Sequence, residues 1–298
     1  MDFSDFEIII LPDGLLEADV SQWKVPLTII PTGPAKPSDK RDIALKHARG
    51  EILAFLDDDA YPEKDWLKKA VDNFKDPDVA AVGGPAVTPK SDNFASKASG
   101  AIYASMAVSG QFKYRYIPGI KREVDDYPSC NLFVRKSVMQ ELGGFNTKFW
   151  PGEDTKLCLD ITKKLKKKII YDPGVLVYHH RRPVFLAHLK QIASYALHRG
   201  YFVKKYPETS LKFSYFVPTL FVLSVVCGSI LSLLFPALLT PFLFGLSLYL
   251  LLVFISSLSK ELQLIFPVFL GIIFSHIVYG IFFLKGLLSV RLSEENNL

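Results

Sequence analysis

From residue 213 onward the chain almost stops carrying charge, and only Lys260, Glu261, Lys285, Arg291, Glu294 and Glu295 interrupt it. This part holds three apolar stretches, roughly 213–234, 237–257 and 264–284. Each has about 20 residues, which at ~1.5 Å of rise per residue covers the ~30 Å hydrocarbon core of a bilayer. A buried helix of a soluble domain seldom runs so far without a charge. The expectation is a membrane domain over 211–298 with about three transmembrane helices, Pro236 and Pro241 marking the first turn and residues 256–261 the second. The six late charges cancel, so the whole excess of +5 in this 298-residue chain sits in its first 212 residues.

Arg199, Lys204, Lys205 and Lys212 stand just before the first apolar stretch. The positive-inside bias therefore places the preceding domain in the cytoplasm, on a multi-pass protein of the cell membrane. Three crossings put the tail outside, whereas Lys285 and Arg291 favour the inside. Cys130, Cys158 and Cys227 are scattered and odd in number, which argues for reduced, structural thiols rather than a disulfide framework. The acidic start, without a basic leader segment, does not read as a signal peptide. The basic residues form no nucleic-acid-binding module, so a nucleic-acid partner is excluded. With no charge inside an apolar stretch, an ion path is excluded too.

The charged part, residues 1–210, alternates short apolar runs with helical spacing. Strands are expected at 6–11, 27–30, 51–56 and 79–82, with helices at 39–49 and 65–74. That alternation predicts an α/β domain with a mostly parallel sheet and helices on both faces. Beyond it come a helix and loop over 92–128, a strand at 131–135 and a helix at 136–142. A helix over 152–165, short strands at 169–171 and 175–178, and an amphipathic helix over 183–205 complete the pattern. Ligands of such sheets sit beyond the carboxyl ends of the strands. Asp13, the Asp57-Asp58-Asp59 run and Gly83-Gly84 all fall at strand ends.

On an extended backbone Asp57 and Asp59 point to the same side. Paired carboxylates at a strand end suit Mg²⁺ or Mn²⁺, hard cations that take oxygen ligands and bridge to phosphate oxygens. The bland alternative is a solvated acidic turn. Glu153-Asp154 opens a helix, where acids are favoured by the macrodipole with or without any chemistry.

The stretch Gly50-Glu51-Ile52-Leu53-Ala54-Phe55-Leu56-Asp57-Asp58-Asp59, then Asp65-Trp66-Leu67, resembles family 2 glycosyltransferases. So does Gly143-Gly144-Phe145 followed by Gly152-Glu153-Asp154. The resemblance covers roughly residues 6–205, is similar to membrane-attached enzymes of surface-glycan synthesis, and implies a GT-A fold. It further implies inverting transfer from a nucleoside diphosphate sugar to a lipid-linked or growing glycan acceptor, with Asp57 and Asp59 as the metal and nucleotide motif. Asp154 is then the general base, since a sugar hydroxyl is a poor nucleophile until a carboxylate takes its proton. Glu153 orients the acceptor or holds Asp154.

The same resemblance makes Arg41 a contact of the donor diphosphate, which a guanidinium fork suits, against a solvated helix face. Gly84 lets the backbone approach the donor or simply makes a turn, and Asn131 falls in a segment lining the sugar pocket. Arg181 or Arg182 closes over the diphosphate, or else faces anionic lipid headgroups. Asp13 touches the base or ribose. There is one departure. Relatives begin with a further strand and helix that supply part of the nucleotide pocket, and residues 6–11 match their second strand. Where many have two consecutive aspartates, this chain has Pro12-Asp13-Gly14. The rival reading is a catalytically inactive nucleotide-sugar-binding or scaffold protein anchored in the membrane.

Overall fold

Strands and helices are interspersed as far as His179, and helices fill the rest of the chain. The computed structural model describes residues 5–16, 24–259 and 261–295. In chain order, β1 (Ile8–Ile10) and β2 (Leu27–Ile29) precede α1 (Pro37–His47), β3 (Ile52–Leu56), β4 (Ala60–Pro62), α2 (Trp66–Asn73), β5 (Val79–Gly83) and β6 (Ala86–Val87). Then come α3 (Phe94–Ala104), α4 (Met106–Ser109), β7 (Arg122–Val124), β8 (Asn131–Arg135), α5 (Lys136–Leu142), α6 (Glu153–Leu159), β9 (Lys168–Tyr171) and β10 (Val177–His179). The remainder is α7 (Leu186–Lys205), α8 (Pro207–Ser210), α9 (Phe213–Leu234), α10 (Leu239–Ser257) and α11 (Ile265–Leu288).

The chain divides into two units, and each is described separately. One takes the described residues up to Ala86 together with Pro118–Tyr178; the other takes Val87–Ile117 and the described residues from His179 on.

In the first unit a five-stranded sheet has the order β3–β8–β5–β9–β7. The central strand β5 is buried at every residue, which is why its sequence, Val-Ala-Ala-Val-Gly, is apolar throughout rather than alternating. The helix α2 turns Trp66, Leu67 and Ala70 inward, against Val82, Phe133 and Val177 among others. The first helix, α1, begins at Pro37, whose missing N–H costs nothing there, and carries Asp39 in its first turn and Lys46 and His47 in its last. It starts two residues before the expected position.

Strand direction departs from expectation. Only β5–β9 is parallel in this sheet, while β3–β8, β5–β8 and β7–β9 are antiparallel. Hydrophobic periodicity is the same in both directions, so it could not register that β8 returns antiparallel after the long excursion through residues 87–130. The small sheet β1–β2 is parallel, as alternation predicts.

The second unit is helical. Its core gathers Ala98 and Ile102 of α3 with Val253, Val268 and Ile272 of the late helices. Three segments, Phe213–Leu234, Pro236–Ser257 and Leu262–Glu295, are helices long and apolar enough to cross a membrane. Their starts agree with the apolar stretches to within two residues.

Candidate active site

The site is built around a helix, a strand end and a helix start. Arg41 projects from α1; Asp57 follows β3 directly; Glu153 and Asp154 open α6. Nη2 of Arg41 donates to Oδ1 of Asp57 at 2.9 Å, and Nη1 donates to Oε1 of Glu153 at 3.1 Å. The guanidinium and the Glu153 carboxylate are buried, while Asp57 remains about one-third exposed (35%). One forked cation thus ties together carboxylates from two distant motifs. Planar geometry makes arginine, rather than lysine, suited to that bridge.

Neighbouring side chains hold the fork in place. The guanidinium lies over the rings of Phe55 and Phe145, at 5.9 and 5.5 Å from their centroids. Phe145 is fixed by the next residue along α1. Oδ1 of Asp42 accepts from the Phe145 N–H at 2.9 Å, and a Cβ on Gly144 would stand 2.3 Å from that same oxygen. Gly144 is also left-handed, with φ +86, so glycine is required there twice over. Burial pushes the Asp42 carboxyl above its ordinary value, opposed by the Phe145 hydrogen bond. Nothing in the sequence pattern had marked Asp42 as part of the site, although it sits beside Arg41.

Asp59 is exposed, and its carboxylate and that of Asp57 offer oxygens within 4.8 Å of each other. Asp154 is half-buried. Its Oδ1 accepts from the Thr155 N–H at 2.7 Å and its Oδ2 from the Ser129 N–H at 3.3 Å. Gly152, immediately before α6, has φ 121, a turn that a side chain would strain.

The other expected site residues have these surroundings. Asn131, expected in a segment lining the sugar pocket, is fully buried: its Nδ2 donates to the carbonyls of Gly84 and Val175 at 2.7 and 2.8 Å, and its Oδ1 accepts from Nε1 of Trp66 at 2.8 Å. Gly84 does not leave its face open to a ligand, because a Cβ there would stand 1.7 Å from the Val175 carbonyl oxygen. Its smallness serves an internal close approach. Arg41, read as a phosphate contact, has both arms occupied by carboxylates. Asp13 is exposed and paired with Lys40.

Arg181 and Arg182 belong to the second unit. There Nη1 of Arg181 bonds Nδ1 of His179 at 2.8 Å, and its guanidinium lies over Tyr103 and Tyr116 at 5.8 and 5.2 Å. Burial raises the Tyr103 hydroxyl pKa well above its ordinary value. Arg182 is exposed.

A model of the family described as Glycosyl transferase family group 2 matches residues 52–283, most of the chain. The chain belongs to that family. It is 28% identical over 148 residues to the Pre-mycofactocin glycosyltransferase of Mycobacterium tuberculosis, a match covering 49% of this chain and 30% of that one. It is 25% identical over 142 residues to the Glucosyl-dolichyl phosphate glucuronosyltransferase of Haloferax volcanii, covering 44% and 43% of the two chains. The chain therefore matches less than half the length of either relative. Among solved structures it is similar to the mannosyltransferase PcManGT from Pyrobaculum calidifontis in complex with GDP-Man and Mn²⁺, at a TM-score of 0.61 and 16% identity, covering 96% of this chain and 79% of that one. The fold is accordingly GT-A-like, a mixed α/β sheet with flanking helices.

Proposed function

We propose that this protein transfers a sugar, with inversion, from a nucleoside diphosphate sugar to a lipid-linked or growing glycan acceptor at the membrane, using Mg²⁺ or Mn²⁺. The observation that carries this reading is the Arg41 bridge, which joins the Asp57-x-Asp59 motif to the Glu153-Asp154 motif. Membership of the family supports sugar transfer. A fold neighbour bound to GDP-Man and Mn²⁺ supports the donor class and the metal, and a relative named for a dolichyl phosphate substrate supports a lipid-linked acceptor. Residues 1–210 are assigned the chemistry and residues 211–298 the anchoring, with the catalytic side cytoplasmic.

The donor set fits a hard divalent ion. Two carboxylates within 4.8 Å of each other, at the end of a strand, offer the oxygen ligands that Mg²⁺ and Mn²⁺ prefer. When bound, such an ion neutralises charge building on the departing diphosphate. Asp57 and Asp59 would hold it. Arg41 is a positioning residue, fixing Asp57 from one side and Glu153 from the other. Oδ2 of Asp154, which accepts from the Ser129 N–H at 3.3 Å, takes the proton of the acceptor hydroxyl as it attacks. Arg181 or Arg182 contacts the diphosphate, and Asp13 the nucleoside.

The test is diphosphate release by purified full-length protein with a panel of nucleotide sugars and Mg²⁺ or Mn²⁺. Asp154→Asn is expected to reduce turnover on the order of 10²- to 10⁴-fold, the usual worth of a general base. Asp59→Asn is expected to raise the metal concentration needed for half-maximal rate. Full activity of Asp154→Asn removes the base assignment, and full activity in excess chelator removes the metal.

A further inference from the structure

Three apolar helices invite the reading of three crossings, but contacts within the second unit bring together ends that three crossings would hold apart. The start of α9 meets the end of α11. Oγ1 of Thr219 donates to the Gly280 carbonyl at 3.0 Å, and the rings of Phe216 and Phe283 are 5.0 Å apart. A Cβ on Gly280 would stand 2.5 Å from the Pro218 carbonyl oxygen. With three crossings, Phe216 would lie near one membrane face and Phe283 near the other, most of the ~30 Å hydrocarbon core away.

The residues after α11 tell the same story. Oε1 of Glu294 meets Nε2 of His198 at 2.9 Å, and Oε1 of Glu295 meets Nζ of Lys205 at 2.6 Å. The Ser289 carbonyl accepts from Nζ of Lys204 at 2.5 Å. These partners lie near the end of α7, and only residues 206–212 separate α7 from α9. The tail is therefore held at the place where α9 begins.

Nor is α11 free to leave α7. The two run side by side in the same direction, from Ser275 bonded to His188 at 3.0 Å to Gly286, whose absent Cβ would meet the Leu197 carbonyl oxygen at 2.0 Å. Lys190, Arg199, Lys204 and Lys205 on α7 make that helix unfit to cross hydrocarbon. At its other end α11 is tied to α3 through Glu261 Oε2, 2.8 Å from Nζ of Lys97.

Exposure separates the helices in the same way. On α10 the consecutive residues Leu250, Leu251 and Leu252 are all exposed, although they point about 100° apart, as expected of a helix surrounded by lipid. On α11 the exposed large apolar residues are Phe266, Phe274, Ile281 and Leu288, recurring at seven or eight residues along one stripe. With the rest of the helix covered by its own unit, that stripe is the face α11 has left for lipid, whereas α10 keeps several faces open to it.

We propose that α9 and α10 alone cross the bilayer. The helix α11 lies along the membrane surface beside α7, with its stripe in lipid and residues 289–295 on the same side as α7. This holds whether or not the protein transfers sugar. The surface is continuous with the α9–α10 hairpin, and Lys204, Lys205 and Arg291 beside it suit anionic headgroups.

The experiment uses the full chain in sealed, oriented vesicles and a membrane-impermeant maleimide, with labelled peptides read by mass to separate them from native cysteines. The variants are Glu208→Cys before α9, Ala237→Cys between α9 and α10, and Val290→Cys after α11, where the native side chain is 88% exposed. Position 290 is expected to label with 208 and at least tenfold more than 237 from that side. Labelling of 290 with 237, or of 237 with 208, overturns the proposal. A compartment-sensitive fluorescent reporter fused after Leu298 leaves every native residue in place; it must report the side of position 208, and the opposite side likewise overturns it.

Discussion

Arg41 on α1 and Glu153 at the start of α6 are 112 residues apart in the chain and 3.1 Å apart in the fold. Both side chains are nearly buried, at 13% and 7% exposure. The bridge is thus structural as well as electrostatic.

Removing the cation takes the counter-charge from a buried Glu153 carboxylate whose other oxygen accepts from the Gly152 N–H at 3.1 Å, and breaking comparable buried pairs costs about 3–5 kcal/mol. Arg41→Met is therefore expected to lower the chemical unfolding midpoint sharply, followed by tryptophan fluorescence. The double variant Arg41→Met with Glu153→Gln should recover most of that loss. A double variant no more stable than Arg41→Met alone refutes the bridge as a source of stability.

Asn131 supports the fold. Asn131→Ala strands the Trp66 indole N–H and weakens the pairing of the Gly84 and Val175 carbonyls, at about 1–3 kcal/mol for each group left unsatisfied. Thermal unfolding should drop, while the apparent donor affinity, read by nucleotide-sugar titration below the unfolding temperature, stays within twofold. A selective loss of donor binding with unchanged stability would restore Asn131 to the pocket.

Gly84→Ala forces a methyl against the backbone of Val175, which has no flexible end to swing away. The expected cost is about 3 kcal/mol or more, at the upper end of overpacking changes. Gly50→Ala is the control, since its nearest neighbour is 3.6 Å away. Equal unfolding midpoints for the two variants contradict the close approach.

His188 is fully buried between Ser99, whose Oγ is 2.8 Å from Nδ1, and Ser275, whose Oγ is 3.0 Å from Nε2. Burial pushes its pKa down from 6.5 to about 4. Between those values the unfolded chain binds more protons than the folded one, so stability rises with pH. The contribution is complete above about pH 6.5 and is lost as pH falls toward 4, to a depth of ~3 kcal/mol. Unfolding midpoints across that range should show the slope, and His188→Gln should flatten it.

Much of this was legible beforehand. The strand ahead of Asp57 reads from its apolar run, the glycines at 143 and 144 from the turn they make, and the helix opened by Glu153 from its acids. Asp57 and Asp59 are marked as chemistry by type and spacing, and Glu153 and Asp154 by the resemblance to the family. The role of Asn131 was not legible, because an amide that closes a hydrogen-bond network inside the protein has the same letter as one that greets a ligand. Asp42 was missed for the same reason. Its partner, Phe145, is over a hundred residues away, and no local pattern records such a bond.

By itself the sequence determined most of the longer elements, though not the short strands β4, β6 and β7, because the period of apolar residues decides helix against strand and the dearth of charge past residue 212 decides which helices are fit for lipid. It did not decide strand direction, since a side chain alternates identically whichever way its neighbour runs. Nor did it decide that Arg41 would answer to Asp57 and Glu153, or that α11 would lie along α7 as well as being apolar enough to cross. Those depend on which distant groups meet after folding, where a carboxylate beside a buried guanidinium, or a glycine against a carbonyl, fixes an arrangement that local chemistry leaves open.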